Sequence, residues 1–218
     1  MELLERFTAI ARDAGFDLPA PLAQWYRTDS AGNHTGKAMD GVYDFEWLTP
    51  DASEREIEEW LNPDAQQGIR FFPFAQSGGG DFYALVRLAD GREGVACIWH
   101  DDENSQIDYA NFADFVAASY LQSYADLSHL GDDESAIADT IRAGLACSTP
   151  ALPPAHAEAL LVPAQNAVVA RAYQSGPRAW PIQVPALLAQ EDAEARAASF
   201  TLKEPLVFAV VPSWEVDG

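Results

Sequence analysis

Residues 77–81, Ser-Gly-Gly-Gly-Asp, are the first stretch whose types and spacing could do chemistry. Three consecutive glycines can bring backbone N–H groups around a phosphate. Here no lysine follows, the run leads into a strand pattern rather than a helix, and Asp81 stands where the anion would sit. Gly78, Gly79, Gly80 and Asp81 read instead as a tight turn. Positive φ is expected at Gly79, and Asp81 is expected to hydrogen-bond the turn's own amides.

The second stretch is His100-Asp101-Asp102-Glu103. Such a cluster could ligate a divalent cation, as histidine–aspartate pairs do in metal-dependent hydrolases. That chemistry needs further histidines on helices, and His34, His129 and His156 fall in loop or helix-end contexts. Neighbours on one extended segment also point in opposite directions and chelate poorly. An exposed acidic loop after a strand is the expected state, ahead of a hydrolase using His100 and its neighbouring acids, and no metal or cofactor is expected. No GxSxG, HExxH or Cys–His arrangement occurs, and Ser77 and Ser148 have no recognisable base. Cys97 and Cys147 form no CxxC pair and read as reduced, buried thiols. A binding protein is favoured over an enzyme.

Charge indicates what would be bound. The net charge is −21, and residues 1–130 hold 8 basic and 23 acidic residues against 5 and 11 in 131–218. Such a surface repels nucleic acid and anionic membrane and steers basic partners inward; acidity also serves solubility alone. The start, MELLERF, carries Glu2 and Glu5 where a signal peptide would carry bases, and the apolar run Leu206–Val211 is too short to span a bilayer. A cytoplasmic protein is expected. Asp40, Asp44, Glu46, Trp99, His100, Asp101, Asp102 and Glu103, at strand ends and loops of the acidic half, are the candidate partner-binding residues.

The elements that position them follow from periodicity. Leu3, Leu4, Phe7, Ile10 and Ala11 predict a helix over 2–13 that Gly15 ends. Asp17 is a candidate cap for a short helix carrying Leu22, Trp25 and Tyr26, and Ser30–Asn33 suit a turn. One or two strands are expected over 36–48, broken at Asp40-Gly41. Ser53 and Glu56 suggest a capping box for a helix over 52–61. Strands are expected over 69–75, 82–88 and 93–99, with a hairpin turn at Asp90-Gly91 and an acidic loop over 101–108. Asn111 is the expected N-cap of a helix over 111–125. Ile137, Ile141 and Leu145 mark another helix. Seven prolines in 149–185 argue against long regular elements there, apart from a helix around 155–173. A helix over 187–198 leads to PLVFAVVP, which is apolar on both faces and is expected as a buried strand.

The ordered set LPAPLAQWY (18–26), IRFFPFAQSGGGDFYALV (69–86), GVACIWHDDE (94–103) and FADFVAASYL (112–121) resembles the SUKH superfamily. That superfamily takes in bacterial immunity proteins and the fungal Smi/Knr cell-wall-synthesis regulators. The resemblance covers about residues 1–125. It implies an α+β fold, with a twisted, mainly antiparallel sheet flanked by helices. A SUKH-like domain over 1–130 would then carry an α-rich, proline-rich extension or small lobe over 131–218. In this pattern the glycine run and Trp25 are structural. The resemblance also implies protein binding: an immunity protein neutralising a cognate toxin domain in a polymorphic or contact-dependent toxin system, or a regulatory scaffold of the Smi/Knr type. A basic nuclease toxin would match the acidity.

Overall fold

The apolar stripe of the first segment folds as helix α1 (Leu3–Ala14), which buries Phe7, Ile10 and Ala11. Gly15 ends it at φ +92. The computed structural model describes residues 3–32 and 37–216; Glu2, Asn33, His34 and Gly36 lie outside the described residues. Helix α2 (Ala20–Arg27) starts after Pro19 with Pro21 in its first turn and no side-chain cap, so Asp17 does not cap it. Proline's fixed φ starts this helix without a side-chain acceptor. Trp25, 1% exposed, packs edge-on against Trp47 and Phe112, which makes it core as expected.

The strands expected over 36–48 reduce to the two-residue β1 (Glu46–Trp47). Met39, Gly41 and Asp44 take φ of 66°, 100° and 54°, and each turns an otherwise extended chain. The helix that follows, α3 (Pro50–Glu59), is capped by Thr49, whose side chain accepts from the Ala52 N–H. Ser53 is no cap. It is buried and donates to the Pro73 carbonyl at 2.6 Å, tying α3 to the sheet.

Six strands, the last of them β8 (Leu206–Ala209), form one antiparallel sheet in the order β1-β2-β3-β4-β5-β8. The central strands are β2 (Arg70–Gln76), β3 (Phe82–Arg87), β4 (Glu93–Ile98) and β5 (Asn104–Tyr109). Alternation sends Phe71, Ala84, Val86, Ile98 and Ile107 into one core with Trp60 and Leu61. Phe72, Phe74, Leu85 and Val95 enter the other, under α1, α2 and the helix over 112–123. The register shifts between Pro73 and Ala75, where proline has no N–H for the ladder. The loop expected over 101–108 is mostly strand β5: Ser105 and Ile107 are buried while polar residues alternate with them. The acids at 101–103 dominate that stretch and mask a period of two that begins at Asn104.

Helix α4 (Phe112–Ser123) is capped by Asn111, which accepts from the Asp114 N–H at 3.0 Å. Helix α5 (Glu134–Ser148) buries Ile137, Ile141 and Leu145. Gly144 lets α5 approach the 38–41 turn closely: a Cβ there would lie 2.2 Å from the Asp40 carbonyl oxygen. The buried Ser148 hydroxyl accepts from the Met39 N–H at 3.2 Å and sits 3.0 Å from the Tyr120 hydroxyl.

In the proline-rich part, helix α6 (Pro154–Leu161) stops well short of 173. A hairpin of β6 (Val169–Tyr173) and β7 (Ile182–Ala186) follows, which the proline density hid. Its prolines are used rather than tolerated: the Pro185 carbonyl accepts the Leu127 N–H at 2.9 Å. Helix α7 (Gln190–Ala197) packs on α4, and the Leu187 and Leu188 N–H groups both reach the Tyr124 carbonyl. Strand β8 (Leu206–Ala209) pairs with β5 at the sheet edge. It is not buried as expected. Phe208 is its one buried side chain, and Val207 is 64% exposed. An apolar run needs both faces covered only in a central strand, and here one face is left open. Among the described residues no helix is long and apolar enough to cross a membrane.

Candidate interaction face

The β2–β3 turn, the β4–β5 connection, the start of β1 and the end of β8 all fall at one end of the sheet, because neighbouring strands run antiparallel. Hydrogen bonds knit them, the Val210 N–H at the end of β8 reaching the Glu103 carbonyl at 2.9 Å. In the glycine turn the Ser77 N–H bonds the Asp81 carbonyl at 2.8 Å. The turn's amides are closed by Ser77, not by Asp81: the buried Ser77 hydroxyl accepts from the Gly79 and Asp81 N–H groups at 3.2 and 3.1 Å. The Asp81 carboxylate accepts from the Ser77 hydroxyl through Oδ2 at 3.3 Å and reaches the β4–β5 connection through its other oxygen. Its Oδ1 accepts from the His100 backbone N–H at 3.2 Å and lies 2.9 Å from His100 Nδ1. From the other side, Asp44 Oδ1 accepts the Gly78 N–H at 2.7 Å, and Glu46 accepts from the Gln76 side chain at 3.2 Å.

Glycine's role in this turn belongs to one residue. Gly80 takes φ +95, whereas the positive φ expected at Gly79 is absent, and a Cβ at Gly79 would meet ordinary contacts. Gly80→Ala is therefore expected to destabilise the protein by about 1–2 kcal/mol, the cost of a left-handed L-residue. Gly79→Ala should fall within about 0.5 kcal/mol of wild type. Equal denaturation midpoints for the two variants would refute this assignment.

The structure thus gathers Asp44, Glu46, His100, Asp101, Asp102 and Glu103 at one rim, with Trp99 beside them at 39% exposure. Asp102 caps its own loop by accepting the Asn104 N–H at 3.0 Å. Asp40 is not brought there. It sits in the turn against α5, near Tyr120. Helix α8 (Ser213–Val216) was not legible as part of this rim. The Ser213 N–H bonds the His100 carbonyl at 3.0 Å, which places the exposed Trp214 beside the acidic connection.

Asp81, His100 and Asp101 each place a ligand-type atom within 4.8 Å of the others. Asp81 supplies the geometry that consecutive residues alone lack. His129 and His156 are engaged elsewhere, against the Gly41 carbonyl and the Asp114 carboxylate. Cys97 is half-buried, and burial first, then the nearby Asp81, Asp108 and Asp44, push its thiol up to about 12. A thiol held neutral is a poor nucleophile and a poor ligand.

A six-stranded antiparallel sheet with helices packed on it, joined by the β6–β7 hairpin, defines an α+β protein, and its acidic rim lies on loops that the larger sheet holds in place. The family model for the SMI1 / KNR4 family (SUKH-1) matches residues 4–118. That is more than half of the chain, and the chain belongs to this family. No curated protein and no solved structure matched the chain.

Proposed function

We propose that the protein is an immunity protein: it binds a cognate, basic, nuclease-type toxin domain through the acidic rim and blocks it, within a bacterial polymorphic or contact-dependent toxin system. The observation that carries the reading is the gathering of Asp44, Glu46, Asp101, Asp102 and Glu103 at one end of the sheet, in a chain of net charge −21. A nuclease is basic where it grips its substrate, so an acidic face can occupy the same surface. Membership in a family whose members are commonly immunity proteins supports it. On this reading the protein works by binding in the cytoplasm, with no chemistry of its own, and the Asp81–His100 pair holds the rim rather than a metal.

The test is co-expression with the toxin encoded beside the gene. Rescue of growth and a stable complex are expected; neither rescue nor complex removes the proposal. Replacing Asp101, Asp102 and Glu103 by Asn, Asn and Gln should slow association about tenfold at low salt and leave dissociation nearly unchanged. An association rate indifferent to salt would argue against charge steering. Complexes with housekeeping enzymes and none with the toxin would favour a regulatory scaffold. A phosphatase activity abolished by His100→Ala would favour the hydrolase.

A further inference from the structure

Beside Asp44 the rim opens into a cleft of about 560 Å3. Four tyrosines from four different elements line it. Tyr43 comes from the turn before β1, Tyr83 from β3, Tyr109 from the end of β5 and Tyr173 from the end of β6. Asp44 and Asp126 add two carboxylates, and among the described residues no lysine or arginine lines the cleft.

Two of the rings are held in place from below. Tyr83 and Tyr109 pack on Phe115 with centroids 5.5 and 5.4 Å away, and the Tyr83 hydroxyl donates to the Asp44 carbonyl at 3.2 Å. Tyr43 is pinned through its backbone N–H to the Ser123 hydroxyl at 3.0 Å while its side chain stands 65% exposed. Burial pushes the Tyr109 phenol up to about 12 and that of Tyr83 higher still, so both stay neutral and present π faces. Each carboxylate engages its neighbours through Oδ1: Asp44 takes the Gly78 N–H, and Asp126 takes the Ser128 N–H and hydroxyl. Among the described residues no hydrogen bond to either Oδ2 is found.

We infer that this cleft is a receptor for an arginine side chain of a basic protein partner. A guanidinium is flat, weakly hydrated and permanently charged. It stacks on tyrosine faces and offers paired N–H groups to carboxylates, whereas a lysine ammonium is a strongly hydrated point charge. The assignment rests on the reading of a basic partner at the adjoining rim, with which the cleft shares Asp44.

The experiment titrates the full chain with N-acetyl-arginine amide, following the tyrosine ring resonances by NMR, with the lysine and uncharged citrulline analogues run alongside. Saturable shifts at Tyr43, Tyr83, Tyr109 and Tyr173 are expected with arginine, weaker ones with lysine and none with citrulline. Asp44→Asn with Asp126→Asn should weaken the arginine response at least about fivefold, and Tyr43→Ala about threefold. Asn tolerates the φ of 54° at position 44 and keeps the Oδ1 acceptor, so folding is preserved. Shifts absent, scattered elsewhere or equal with citrulline would overturn the inference. A toxin that binds wild type and the double variant equally would overturn it too, while leaving the immunity reading standing.

Discussion

Gly144→Ala should lower the stability of this protein by about 3 kcal/mol, the upper part of the range for overpacking a close contact. In an ordinary helix interior the same change stabilises by about 1 kcal/mol, because alanine is the better helix former. The sign here is set by the Asp40 carbonyl oxygen, 2.2 Å from where the Cβ would stand, with the Tyr120 hydroxyl at 3.1 Å. A backbone oxygen cannot rotate away. α5 would have to lift from the 38–41 turn and break the Met39–Ser148 bond beneath it. At this chain length about 3 kcal/mol corresponds to a Tm lower by roughly 6–12 °C. A variant as stable as wild type, or more so, would mean that α5 does not sit this close.

Phe115→Ala is expected to cost about 3–5 kcal/mol, the range for deleting a fully buried aromatic. The ring is 1% exposed and contacts Phe45, Phe74, Tyr83, Tyr109 and Phe112. It therefore joins the sheet face, the turn before β1 and α4 in one aromatic cluster. Phe115→Leu should recover more than half of the loss, since it refills most of the volume. Urea denaturation of the three proteins checks the order. Because Phe115 is also the floor beneath Tyr83 and Tyr109, the alanine variant should lose arginine binding in the cleft before it loses its fold.

Much of this architecture could be read from period and punctuation. Ile137, Ile141 and Leu145 mark α5, Asn111 marks the cap of α4, and the alternation of 82–88 marks a strand with both faces partly covered. The failures have physical causes. Thr49 displaced Ser53 as cap because Ser53 is drawn into the sheet by the Pro73 carbonyl, a partner twenty residues away. The 36–48 segment carries strand-forming residues, but three left-handed positions override them. The β6–β7 hairpin contains Pro185 at a position whose carbonyl, not its missing N–H, does the bonding. At the site, the acidic run 101–103 was visible as a run. Its neighbours Asp44 and Asp81 became part of one rim only through tertiary bonds, and four tyrosines spread from 43 to 173 leave no local pattern at all.

The pairing of β5 with β8 joins residues about a hundred positions apart, from Ile107↔Leu206 to Asn104↔Ala209. At roughly 5–20 residues per second of synthesis, β5 leaves the ribosome some 5–20 s before its partner exists. Through that interval its outer edge displays unpaired N–H and C=O groups, a template for pairing with any other strand. The same late segment supplies the Val210 and Ser213 N–H groups that hold the Glu103 and His100 carbonyls. The acidic rim is therefore set in its final shape only after the remainder of the sheet has formed. A nascent chain halted near residue 200 would show an open β5 edge and lack the two bonds that finish the rim.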